Sequence, residues 1–429
     1  MFAPVAKLTS LRVIMAMAAE CDLELHQMDI KSAYLNGELH EEIFMEAPPG
    51  FDIPDGMVLC LIKAVYGTKQ GGRVWCDKIC EKLKMMGYQR TEADHVVFTL
   101  SGGNASIIAL YVDNIMMVAS DLETINQDKE DLRKSYEMTD LGNLSWILGM
   151  HVTRDRSKGW ISISQEKYSD DVLERFGKES SRPMVTPALM GEHLTKVSEP
   201  EVDVKAYQSA VGALMYPMLG MHPDLAFAVG ALGRHSATPG AKHQHALDRM
   251  FCYLHSTSAR CLVFQCALPE GMQLTGYVDA DWAGDVNDRK STSGFIFMFG
   301  GAAMSWGSKK QTSVALSSTE AEYIAASYAV KEAIWLRRLL TELGLDTSSP
   351  TPIHVDNQSA IAIARNPEFH DRTKHIEVRY HFLRQVVEKG DIVLKYLPTG
   401  EQIADALTKG LSREKHEGFA KMMGLRSKV

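Results

Sequence analysis

Short apolar runs separated by turn residues dominate the first 185 positions. The stretch SIIALYVDNIMMV sets one apolar run against another across an Asp-Asn step, which predicts a β-hairpin with Asp113 at its tip. An earlier alternating segment, LELHQMD, predicts a strand that ends on Asp29. Turn signals stand at Asn36-Gly37, Pro48-Pro49-Gly50 and Gly102-Gly103-Asn104. Residues 180–204 hold Pro183, Pro187 and Pro200 and read as a linker. A helical pair follows over 204–219 and 243–257, bridged by HPDLAFAVGALGRHSATPG. From Gln273 the periods read strand, strand, strand, helix, strand, helix, helix, strand, helix, with no internal repeat.

That last segment distributes four acids in a telling way. LTGYVDADWAG is a strand with Asp279 near its end. GFIFMFGG and AAMSWGSKK form a hairpin through Gly300-Gly301. A long helix opens at Thr319-x-x-Glu322, PIHVDNQSAIAIA is a strand ending at Asp356 before a helix, and EQIADALTKGL is a final helix carrying Asp405. Each acid alone has a plainer explanation. Glu322 suits the third position of a capping box, Asp279 and Asp281 suit turns, Asp356 suits a helix cap, and Asp405 suits a helix first turn. Jointly they sit at strand ends and helix starts, which can meet at one sheet edge. Four carboxylates there repel unless cations lie among them. Two Mg²⁺ ions about 3.5–4 Å apart would neutralise them and support in-line hydrolysis of a phosphodiester. Asp29 and Asp113, each delivered by a strand, suggest a second site of the metal-dependent polymerase kind.

Composition narrows the classes without choosing among them. The 429 residues are 45% hydrophobic and 23% charged, enough for two or three domains with sizeable cores. No apolar run approaches the roughly 20 residues of a membrane span, and no secretory leader pattern opens the sequence. Seven cysteines without framework spacing fit reduced thiols in an intracellular protein, and Cys76 and Cys80 read as ordinary helix residues. A net charge of −8 argues mildly against nucleic acid as a partner, although a metal-dependent nuclease must carry many carboxylates. The basic runs at 307–311 and 335–338 could line a groove, but read singly they are solvated surface.

The segments GYVDADWAGDVNDRKSTSGFIF, SSTEAEYIAAS, IHVDNQSAI, TKHIEVRYHFLR and IADALTK resemble the ribonuclease H portion of copia-type long-terminal-repeat retrotransposon polyproteins. The resemblance implies that Asp279, Glu322, Asp356 and Asp405 bind metal and that the substrate is the RNA strand of an RNA–DNA hybrid. His375 and His381 match family positions, with no chemistry assigned to them. Upstream, FAPVAKLTSLR, ELHQMDIKSAYLNGEL, EEIFMEAPPGF, YVDN, ADHVVFTL, LGMHVTRD, YQSAVGALMY and HPDLAFAVG resemble the reverse transcriptase of the same elements. There the resemblance implies that Asp29 and the YVDN pair hold two Mg²⁺ (or Mn²⁺) ions. It also implies that Lys69, Gln70 and Arg73 contact substrate, and that an RNA template, a DNA primer and dNTPs are the partners.

Three departures stand out. Asn114 replaces an acid, and a lost charge at a metal centre costs on the order of 10²-fold in rate. YGTKQGG replaces YGLKQAP, so Gly71-Gly72 is looser than Ala-Pro. The sequence also begins where family members are already within the fingers, without protease, integrase or nucleocapsid parts. The expected fold class is α+β: residues 1–185 an N-terminally truncated fingers and palm remnant with an antiparallel sheet, 186–270 a linker and helical connection, and 271–429 a ribonuclease H-like α/β domain with a mixed sheet. The expected activity is reverse transcriptase with ribonuclease H, the polymerase half impaired and the nuclease acids complete. The alternative is a catalytically dead nucleic-acid-binding remnant.

Overall fold

The computed structural model describes residues 4–100, 106–266, 272–365 and 377–427, with side chains of 377–380 left aside. The turn anticipated at 102–104 and His375 lie outside the described residues. The chain forms two compact units. One comprises residues 1–14, 22–144 and 342–344; the other comprises 15–21, 145–341 and 345–429.

In the first unit the elements run α1 (Leu8–Glu20), β1 (Glu24–Ile30), β2 (Phe44–Met45), β3 (Leu59–Cys60), α2 (Gly71–Met85), β4 (Gln89–Arg90), β5 (Val97–Leu100), β6 (Ser106–Tyr111), β7 (Asn114–Ala119), α3 (Leu122–Arg133) and β8 (Met138–Asn143). Six strands make one antiparallel sheet in the order β4-β5-β6-β7-β1-β8. The apolar runs of β6 and β7 are buried along most of their length, and α3 packs Ile125 and Leu132 over β1 and β7. The expected hairpin is present, but its turn lies one residue earlier than the Asp-Asn step suggested. Tyr111 pairs with Asn114, so Val112 and Asp113 form the two-residue loop, with Val112 at φ 60°. Such loops favour positive φ, and here a β-branched residue supplies it. Asn114 therefore opens β7 and faces Asp29 across the ladder.

The second unit holds β9 (Trp146–Ile147), β10 (Met150–Asp155), β11 (Trp160–Ser164), α4 (Glu166–Arg175), α5 (Val204–Gly220), α6 (Ala226–Gly233), α7 (Ala241–Thr257) and β12 (Arg260–Gln265). It continues with β13 (Thr275–Asp281), β14 (Thr292–Phe299), β15 (Ala302–Lys310), α8 (Ser318–Glu342), β16 (Thr351–Val355), α9 (Gln358–Arg365), α10 (Glu377–Glu388), β17 (Ile392–Tyr396), α11 (Arg413–Met422) and β18 (Leu425–Ser427). Tyr207, Leu214, Leu225, Leu247, Phe251 and Leu254 belong to the core shared by α4–α7. The bridge between the two anticipated helices is itself helical. Its sequence AFAVGALG is apolar on every side, so it lacks the one-sided stripe that marks a surface helix.

Strands β13, β14 and β15 are antiparallel, and β16 and β17 run parallel to β13 in the order β15-β14-β13-β16-β17. Gly300 and Gly301 turn the β14–β15 hairpin at φ 57° and 76°, a conformation that glycine adopts without cost. Asp405 departs from expectation: it lies on a short 3₁₀ turn, 403–407, and the last helix is α11.

Candidate active sites

In the first unit, β1 brings Asp29 to the end of the sheet where the 112–113 loop carries Asp113. Partial burial and the charge of Asp113 raise the Asp29 carboxyl above its ordinary range, so the two acids feel one another. Among the described residues no third acid joins them. Asn114 donates from Nδ2 to Asp113 Oδ1 at 3.1 Å and accepts at Oδ1 from Gln27 Nε2 at 3.1 Å. Both ends of its amide are thus engaged within the chain. Sequence reasoning missed Gln27. The only signal was its place two residues before Asp29, hence on the same face of β1.

The three residues implicated in substrate contact separate. Lys69 borders a cavity of about 340 Å³ that reaches Val112 and is also lined by Tyr34, Gly72 and Trp75. Gln70 donates to Glu41 Oε2 at 2.9 Å, and Arg73 pairs with Asp77 at 3.5 Å on an exposed turn of α2. Tyr34 stacks on Tyr66 with ring centroids 4.3 Å apart, an aromatic platform that sequence reasoning did not single out. Gly71-Gly72 is not a loose loop. The pair begins α2, and a Cβ at Gly71 would stand 2.8 Å from Thr68 Oγ1 and 2.9 Å from the Val65 carbonyl oxygen. Close packing, not flexibility, is the use made of Gly71.

In the second unit, β13 ends by delivering Asp279, 2% exposed, and α8 contributes Glu322, 5% exposed; Asp356 follows β16 directly. One carboxylate oxygen from each lies within 4.8 Å of the others. The capping roles open to Glu322 and Asp356 are filled by neighbours. Ser317 Oγ accepts the Glu320 N–H at 3.2 Å and Glu320 accepts the Leu316 N–H at 2.8 Å, so the α8 cap uses the register two residues earlier and leaves Glu322 to the cluster. Asn357 Oδ1 accepts the Ala360 N–H at 3.0 Å and caps α9 in place of Asp356, which accepts from Thr399 Oγ1 at 2.8 Å.

Burial pushes the Asp279 carboxyl up to about 6, with Asp405 and Asp356 adding to the rise. Burial together with Asp279 and Asp356 raises Glu322 well above the usual range. Glu322 Oε1 accepts the Ala280 N–H at 3.1 Å, whereas its buried Oε2 has no hydrogen-bond partner among the described residues. Three hard oxygen donors with one orphaned buried oxygen fit a divalent cation of the magnesium or manganese kind. Asp281, two residues on, is pushed up to about 7 by burial and accepts the Thr292 N–H; it stays outside the trio. The fourth anticipated acid, Asp405, is fully buried and also stays outside, paired to Lys409 at 2.8 Å and to Lys415. His381 lies exposed on α10.

Residues 1–190 match the family described as reverse transcriptase (RNA-dependent DNA polymerase). Over 99% of its length the chain is 43% identical to the retrovirus-related Pol polyprotein from transposon TNT 1-94 of Nicotiana tabacum, of which it spans 33%. It is 35% identical to that from transposon RE2 of Arabidopsis thaliana, spanning 29% of it. The chain thus covers about a third of the length of these curated relatives. A transposon Ty5-1 protein of Saccharomyces cerevisiae is covered in full, with 32% identity over 71% of this chain. Among solved structures, the foamy viral protease-reverse transcriptase dRH in complex with double-stranded DNA shares the fold at a TM-score of 0.51 and 12% identity, over 91% of this chain and 59% of that one. No helix among the described residues is long and apolar enough to cross a membrane. Similarity over nearly the whole chain assigns the family: the chain belongs to the copia-type retrotransposon Pol polyproteins, in their reverse transcriptase region.

Proposed function

We propose that the chain carries a working ribonuclease H-type nuclease and a palm-type polymerase half that has lost most of its activity. In this reading residues 1–185 are the reverse transcriptase portion, 186–270 the helical connection and 271–429 the nuclease. The substrates are RNA–DNA hybrids for the nuclease, and an RNA template, a DNA primer and dNTPs for the polymerase half. The observation that carries the nuclease reading is the trio of buried Asp279, buried Glu322 and half-buried Asp356, with Glu322 Oε2 lacking a partner among the described residues. Mg²⁺ or Mn²⁺ held there supplies the positive charge that phosphodiester hydrolysis needs, and family chemistry uses two ions per site. The chain's own contribution is to hold the three carboxylates rigidly. Asp279 is fixed by Thr408 Oγ1, Glu322 by the Ala280 N–H and Asp356 by Thr399.

The same logic supports the loss in the other half. Asp29 and Asp113 supply two acids, and Asn114 is engaged with Gln27 and Asp113. A half that keeps its fold and substrate surface but not its charge is a binding module, which is the place of the non-catalytic reading.

The test is cleavage of a labelled RNA–DNA hybrid by the purified chain in Mg²⁺ or Mn²⁺. RNA-strand cleavage is expected, falling by at least about 10²-fold in Asp356→Asn. Absence of cleavage, or cleavage indifferent to that change, overturns the reading.

A further inference from the structure

Asp405, the acid left outside the trio, is already balanced by the protein. Asp405 Oδ1 lies 2.8 Å from Lys409 Nζ, and its Oδ2 accepts from Lys415 Nζ. Lys415 is anchored there, donating also to the Thr399 carbonyl oxygen at 3.1 Å and lying over the Phe419 ring at 5.2 Å. Lys409 Nζ stands 3.6 Å from Asp279 Oδ2 as well, so one ammonium bridges the fourth acid and a member of the trio. A second divalent ion shared by Asp279 and Asp405 would need that position. Local structure puts the lysine there: the 3₁₀ turn at 403–407 buries Asp405, Thr408 donates to Asp279, and Lys409 emerges at the mouth with its side chain 41% exposed. Charge balance agrees. Two ammonium groups and one divalent ion neutralise four carboxylates, whereas a second ion would leave an excess of two positive charges.

We infer that this site takes one divalent ion, at Asp279, Glu322 and Asp356, and that the Lys409 ammonium stands in for the second ion of the two-metal arrangement. Lys409 is thereby both the counter-charge of Asp405 and the nearest cation to a phosphate drawn towards the trio. The inference rests on the nuclease reading above, and it makes a different prediction: a count of ions.

The experiment titrates the full chain with Mn²⁺ and counts bound ions by electron paramagnetic resonance of the free metal. Asp29→Asn and Asp113→Asn are present throughout to silence the first unit. One ion per chain is expected, lost in Asp356→Asn. In Lys409→Met, which keeps the aliphatic stem, the count rises to two, and cleavage as a function of Mn²⁺ changes from hyperbolic to sigmoidal. Two ions in the unmodified site, both lost in Asp356→Asn, overturn the inference and leave the nuclease reading standing. One ion in both forms with unchanged cleavage overturns the role of Lys409. Mn²⁺ binding indifferent to Asp356→Asn overturns inference and nuclease reading together. The count in the unmodified site decides the matter even if Lys409→Met folds poorly.

Discussion

Replacing Asn114 by aspartate tests the account of the first unit most directly. The amide now donates to Asp113 Oδ1 and accepts from Gln27 Nε2, both at 3.1 Å. A carboxylate keeps the bond from Gln27 and loses the one to Asp113, a cost of about 1 kcal/mol. It also adds a negative charge beside Asp113 and directly across the ladder from Asp29. Facing side chains in a ladder stand about 5 Å apart. All three residues are half-buried, so an effective dielectric between that of the protein surface and water applies, and each repulsion is worth roughly 1–2 kcal/mol. Asn114→Asp should therefore destabilise the chelator-treated protein by about 3–5 kcal/mol at neutral pH, lowering the melting temperature of this unit by roughly 10–15 °C. Mn²⁺ should return most of that loss, because three carboxylates hold the ion more tightly than two. Thermal melts in EDTA and in Mn²⁺ measure both effects, and primer extension should rise by on the order of 10²-fold over the unmodified chain. An Asn114→Asp protein that melts like the parent in EDTA, or that gains nothing from Mn²⁺, would refute the claim that the amide substitutes for a charge balance.

Three further outcomes follow from buried groups. Asp224 accepts from His222 Nδ1 at 3.1 Å and Tyr253 OH at 2.5 Å, with Arg260 at 3.5 Å, and these partners outweigh burial to hold its carboxyl well below the usual range. Asp224→Asn should cost about 3–5 kcal/mol, read as a lower denaturant midpoint at unchanged slope. Gly71→Ala should cost about 1–3 kcal/mol in the melting of the first unit, since its Cβ would meet the Val65 carbonyl oxygen at 2.9 Å. Burial lifts Asp279 from 3.8 to about 6, so without metal its contribution to stability is complete below pH 3.8 and is lost as pH rises through about 6. That amounts to roughly 3 kcal/mol. Denaturant midpoints in EDTA should fall over that window, Asp279→Asn should flatten the fall, and saturating Mg²⁺ should reverse it by binding the ionised form.

The features legible in the sequence were those set by neighbours along the chain. The period of LTGYVDAD, the Gly300-Gly301 turn and the strand-then-acid order of IHVD each depend on a few adjacent residues, and the structure has them. What was not legible depended on register or on partners far away in sequence. SSTEAE offers two capping boxes, Ser317 with Glu320 and Thr319 with Glu322, and the choice between them decides whether Glu322 is a cap or a ligand. The letters of IADALTK suggest a helical acid–lysine pair; only the 3₁₀ turn aims Lys409 at Asp279 on another strand. Asn114 could be read as a missing charge, but its bond to Gln27 required the strand register. In both units, then, a nitrogen of the chain occupies an acid that a cation would otherwise hold: the Asn114 amide at Asp113, and the Lys409 ammonium at Asp405. The consequences differ because of what remains. Two acids are left in the first unit, a weaker hold on a divalent ion, whereas three remain between β13, α8 and β16, with oxygen donors within 4.8 Å of one another.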